Sequence, residues 1–114
     1  MKLYSDDIMR ETREILESEV LDKPEVTTKR MFGCPCYKVK KALFGFLVTE
    51  GLVITKLPEA DRDAALKIPG ADFFKPGNRV MQKWVQIPLK GPEALPDVLA
   101  WLWKSYEHAR DSSD

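Results

Sequence analysis

The sequence predicts an α+β fold of two layers: a mostly antiparallel five- to six-stranded sheet with N- and C-terminal helices and a short middle helix. Three observations support this. An amphipathic stretch with helical spacing stands near each end of the chain, after Ser5 and after Leu95. Between them, residues 25–57 turn to β-branched and bulky runs punctuated by Gly and Pro. The strands also come grouped rather than alternating with long helices, as in sheets whose helices are segregated to one side. At 114 residues, 1–114 is expected to be a single domain around one modest core.

Taking the elements in order, Ser5 is placed to cap a first helix whose opening residues, Asp6 and Asp7, suit the positive end of the helix dipole. Ile8, Thr12, Ile15, Leu16 and Val20 form its expected apolar stripe. Pro24 forces the preceding residue out of helical geometry and ends it. Residues 26–32 read as a strand, Gly33 and Pro35 as a tight turn, and 37–39 as a short strand followed by a Lys40-Lys41 turn. Two apolar runs, 42–49 and 52–57, meet at Glu50-Gly51 as a hairpin. Pro58 opens a short helix over 59–67, stopped by Pro69-Gly70. Residues 71–79 are expected to be irregular, and 80–89 to be a strand. Leu95, Val98, Leu99, Leu102, Trp103 and Tyr106 then mark the last helix, with residues 112–114 fraying.

Apolar content of 44% with 32% charged residues is that of an ordinary globular chain rather than a disordered one. No apolar run approaches the roughly 20 residues of a membrane span, and Lys2 leads straight into Ser5, Asp6 and Asp7 rather than into an export signal. The expected location is cytoplasmic, with no membrane partner and reduced thiols. Net charge is zero but unevenly spread. Residues 1–25 hold 4 basic and 8 acidic groups, 26–91 hold 12 and 5, and 92–114 hold 2 and 5. A basic middle between acidic ends permits nucleic-acid binding without requiring it.

Three segments, RMFGCPCYKV, GLVITKLPEADR and PGADFFKPGNRVMQKWVQIPL, resemble in order and spacing the N-terminal domain family of TfoX/Sxy, bacterial competence regulators. The residues that carry the likeness are Met31, Phe32 and Gly33, then Lys56, Leu57 and Pro58, then Asn78 and Arg79 before Met81 and Trp84. The likeness spans roughly residues 10 to 108, and Lys83-Trp84-Val85 with Ser105-Tyr106-Glu107 also looks like the related MmcQ/YjbR group, which is proposed to bind DNA. The resemblance implies the same α+β sheet domain, no catalytic residue set, and a role in transcriptional or competence regulation beside a DNA-bound activator such as the cyclic-AMP receptor protein. Regulators of this family carry a second, helical domain after the sheet domain, whereas this chain stops at Asp114. Many relatives also have small residues where this chain has Cys34 and Cys36, so thiol chemistry has no support from the family.

The residues themselves point the same way. Cys34 and Cys36 flank Pro35, too few ligands for tetrahedral zinc beside the single His108. A Cys-x-Cys disulfide would be strained and labile. Lys38, Lys40 and Lys41 could lower a thiol pKa and make Cys34 and Cys36 a redox pair, but two small residues at a tight turn is the simpler reading. His108 falls about 140° from the apolar stripe of its helix, so a Cys-His or Ser-His catalytic arrangement is not expected. No phosphate-cradling glycine motif is present. The expectation is therefore no enzyme, no cofactor, no metal and no small-molecule substrate.

Two binding modes remain. Lys29, Arg30, Lys38, Lys40, Lys41 and Arg79 could form a stripe for DNA phosphates, with Tyr37 and Trp84 stacking on bases if they face outward. Lysines along an edge strand also guard against aggregation, a purely structural use. The leading expectation is protein contact, with a homodimer mate or a regulatory protein. Alternation places Ala42, Phe44, Phe46 and Val48 on one face of their strand and Leu43 and Leu47 on the other, so both faces are apolar. It likewise sets Met81, Val85, Ile87 and Leu89 opposite Trp84. A few helices cover one side of such a sheet, leaving Phe46 or Trp84 for an interface. Trp101, about 130° off the terminal helix stripe, is the other expected anchor.

Overall fold

A computed structural model describes residues 3–112. The chain runs α1 (Asp6–Val20), β1 (Val26–Met31), β2 (Cys34–Val39), β3 (Ala42–Val48), β4 (Gly51–Ile54), α2 (Glu59–Ala65), β5 (Asp72–Phe74) and β6 (Met81–Pro88). A 3-10 turn at Pro92–Ala94 leads into α3 (Leu95–Ser112). The six strands form one sheet in the order β1-β2-β3-β4-β6-β5, every neighbouring pair antiparallel. The two-layer α+β fold expected from the sequence is the fold observed.

Several local expectations change. The side chain of Ser5 does not cap α1; its carbonyl accepts from the N–H groups of Ile8 and Met9 instead. Its own N–H donates to Thr49 Oγ1 at 2.7 Å, fastening the chain entry to the end of β3. The buried stripe of α1 is Met9, Thr12, Leu16 and Val20, whereas Ile8 and Ile15 face solvent. The helix is rolled so that Glu17 can accept from the buried Tyr37 hydroxyl at 2.9 Å. Pro58 caps α2 from outside rather than standing in its first turn. The segment expected to be irregular contains edge strand β5. Ser112 ends α3 with its hydroxyl on the His108 carbonyl, while Ser113 and Asp114 lie outside the described residues.

One side of the sheet packs on the helices. Tyr37 reaches α1, Phe44 meets Tyr106 of α3 edge-on at 5.4 Å, and the Ser105 hydroxyl donates to the Phe44 carbonyl at 2.7 Å. Gly45 permits this closeness, since a Cβ there would lie 2.6 Å from a Leu102 methyl. A bulge decides what faces the other way. Tyr37 pairs with Gly45 but Lys38 pairs with Leu43, so Phe44 is an extra residue on β3. Beyond it the alternation resets. Phe44, Gly45 and Leu47 serve the helix side, and Leu43 and Phe46 the open side, correcting the placement of Phe44 and Phe46 on one face. A second irregularity, between β5 and β6, sets Met81 on the same side as Trp84 rather than opposite it.

An apolar basin on the open sheet face

The open face is partly covered by the chain itself. Leu3 on one side and the segment after β5 on the other bound a basin of about 490 Å³. Its floor is Cys34 and Cys36 of β2 with Leu43 and Phe46 of β3. Its far wall is an aromatic cluster: Phe46 meets Phe74 at 5.2 Å and Trp84 at 5.5 Å, both edge-on, and Phe74 stacks on Trp84 at 6.1 Å. Met31 and Met81 add thioethers, and Pro76, Gly77 and Arg79 close the rim.

The near rim is the β1–β2 turn. Met31 pairs with Cys34, leaving a two-residue turn at Phe32 (φ +55°) and Gly33 (φ +78°). Positive φ at both central residues is the geometry that suits the twist of a hairpin, and it ordinarily selects Asn-Gly. Here a phenylalanine occupies the first position and is 88% exposed. Arg30 Nη1 donates to the Gly33 carbonyl at 3.2 Å and steadies the turn.

The cysteines were expected at this turn; they lie instead within strand β2, buried and unbridged. Cys36 Sγ donates to the Cys34 carbonyl at 3.4 Å. Burial pushes both thiols upward, Cys36 to about 11, and the neighbouring charges of Lys38 and Arg30 do not offset it. At neutral pH these thiols are protonated, which runs against the lysine activation a redox pair would need. His108 is exposed on α3, in the opposite layer, so no Cys-His pairing is formed. Among the described residues no three His, Cys, Asp or Glu gather as a metal site.

The basic residues do not converge either. Lys29 pairs with Cys36 and Lys38 with Leu43, which sets those two on the open side. Arg30 pairs with Pro35 and points the other way, its guanidinium 5.6 Å from the Tyr4 ring. Lys40 and Lys41 sit in the turn at the far end of the hairpin, and Arg79 across the basin. Tyr37 is fully buried beneath α1 and cannot stack on a base. Trp101 is half-buried on α3, with Lys104 Nζ 6.0 Å from its ring. Phe46 and Trp84 do share the open face, as an interface there requires.

Sequence reasoning missed Phe32 as a rim residue and Phe74 as a wall. A bulky aromatic directly before Gly33, between two strands in register, was the available signal for the first. Comparison with family models, curated proteins and solved structures returns no match for this chain. No helix among the described residues is long and apolar enough to cross a membrane.

Proposed function

We propose that the protein is a non-enzymatic regulatory or accessory domain, of the kind its resemblance to the TfoX/Sxy N-terminal domain implies, working in transcriptional or competence control. It acts by protein contact across the open sheet face, with a second copy of the chain as the first partner. The observation that carries this reading is Phe32, a large apolar ring held in solvent, in a conformation that disfavours it, at the rim of an apolar basin. Strain of this sort persists where the surrounding structure imposes it and clusters at binding sites. A twofold contact presents the same residues from both sides, so each Phe32 stands near the basin of its mate.

Sedimentation equilibrium tests this directly. The expected result is a dimer at micromolar concentration, shifted toward monomer by Trp84→Lys, Phe46→Lys or Phe32→Asn. A 13.1 kDa species at every concentration would remove the second copy as partner. Direct DNA binding is the alternative reading, and it draws on Lys29 and Lys38 sharing the open face.

A further inference from the structure

We infer that the basin is also a binding site for a small aromatic carboxylate. The inference stands apart from the partner contact, because it needs only one copy of the chain.

The volume is the first reason. About 490 Å³, open on one side and formed within a single chain, is the size of an ordinary small-molecule site. Charge is the second. Among the described residues Arg79 is the one charged residue of the lining, it is exposed, and it has no ion pair. Lys75, earlier in the same segment, is already held by Asp72 at 2.7 Å. A planar guanidinium at the mouth of an otherwise apolar cavity matches a carboxylate, which it can grip with two parallel hydrogen bonds. One such group, with no second cation in the lining among the described residues, suits a monoanion.

The wall chooses the body of the ligand. Phe46, Phe74 and Trp84 pack largely edge to face, an arrangement that another ring extends. Met31 and Met81 supply polarisable, adaptable sulfur, which contacts aromatic rings favourably. No covalent step enters, since the floor thiols are buried and protonated.

Equilibrium dialysis of the full chain against naphthalene-2-carboxylate, its neutral amide and octanoate tests this, at a protein concentration below that of any self-association. One-to-one binding of naphthalene-2-carboxylate is expected, tighter than that of octanoate. Arg79→Gln should weaken the acid about tenfold, as loss of a charge-assisted contact does, and leave the amide unchanged. Leu43→Trp, filling the floor from a half-buried position, should abolish binding of both, with circular dichroism confirming the fold. Three results would each overturn the inference: no binding up to millimolar ligand, equal affinity for the acid before and after Arg79→Gln, or octanoate binding as tightly as the aromatic acid. A chain that binds the acid yet never dimerises refutes the partner reading alone, and a dimer that binds no acid refutes this one alone.

Discussion

A left-handed backbone conformation costs a residue with a Cβ about 1–2 kcal/mol, and Phe32 adopts one while its ring stays in water. The hairpin ladder and the Arg30 contact impose the turn, while the exposed ring gains little burial of its own to offset that cost. Asparagine tolerates the same φ far better and is the residue that such a turn usually selects. Phe32→Asn is therefore expected to act in opposite directions on two measurements. The thermal midpoint should rise, by several degrees for about 1 kcal/mol in a domain near this size. Self-association should weaken. A variant that loses stability would show the ring to be a packing residue, and one that gains stability with association unchanged would place the contact elsewhere.

At the scale of elements, a chain of polar contacts ties α1 to the sheet. The Tyr4 hydroxyl donates to Asp6 Oδ1 at 2.6 Å, and Arg13 Nε to the same oxygen at 2.7 Å. Arg13 Nη1 donates to Glu17 Oε1 at 3.0 Å, and Tyr37 to Glu17 Oε2 at 2.9 Å. Stability should fall at both ends of the pH scale. The hydrogen bond from Arg13 holds the Asp6 carboxyl well below its usual range. That contribution is present above the unfolded value of about 4 and is lost as pH falls below it. Burial first, and the neighbouring carboxylate next, push Tyr4 to about 12 and Tyr37 higher still. Those contributions are present below the unfolded value of about 10 and are lost as pH rises beyond it. Thermal midpoints measured across pH should thus form a plateau with an acid and an alkaline shoulder. Tyr37→Phe should reduce the alkaline shoulder, and an unchanged profile would refute the assignment.

The same element shows what the sequence could and could not reveal. Helix ends, hairpins and the grouping of strands were legible because they depend on proline, glycine and periodicity within a few residues. The face of each side chain was legible only up to the first irregularity. Counting by two puts Phe46 with Phe44, and one extra residue at Phe44 sends them to opposite sides. The bulge is set by cross-strand register, which no local pattern records. Likewise the exposure of Ile8 and Ile15 follows from the polar chain through Glu17, whose partner Tyr37 lies twenty residues on. The basin is thus the part of the molecule least visible in the sequence.

Across the whole molecule, charge is divided between the two layers. Asp7, Glu11, Glu14 and Glu19 of α1, with Asp97, Glu107 and Asp111 of α3, lie exposed on the helical side, which would repel a duplex. A duplex would meet the open side, where among the described residues Lys29, Lys38 and Arg79 stand without an acidic partner while Lys75 is held by Asp72. Three phosphate contacts would give a log–log salt slope no steeper than about −2.7, and an affinity loss of about fortyfold between 50 and 200 mM salt. Any gel retardation at low salt is therefore expected to vanish near physiological ionic strength. Lys29→Gln with Lys38→Gln should flatten the slope by about two contacts, whereas Lys40→Gln with Lys41→Gln, at the far turn, should leave it nearly unchanged. A slope steeper than about −5, or a dependence on the turn pair instead, would mean that DNA meets a different surface and that the hairpin as a whole is its binding element.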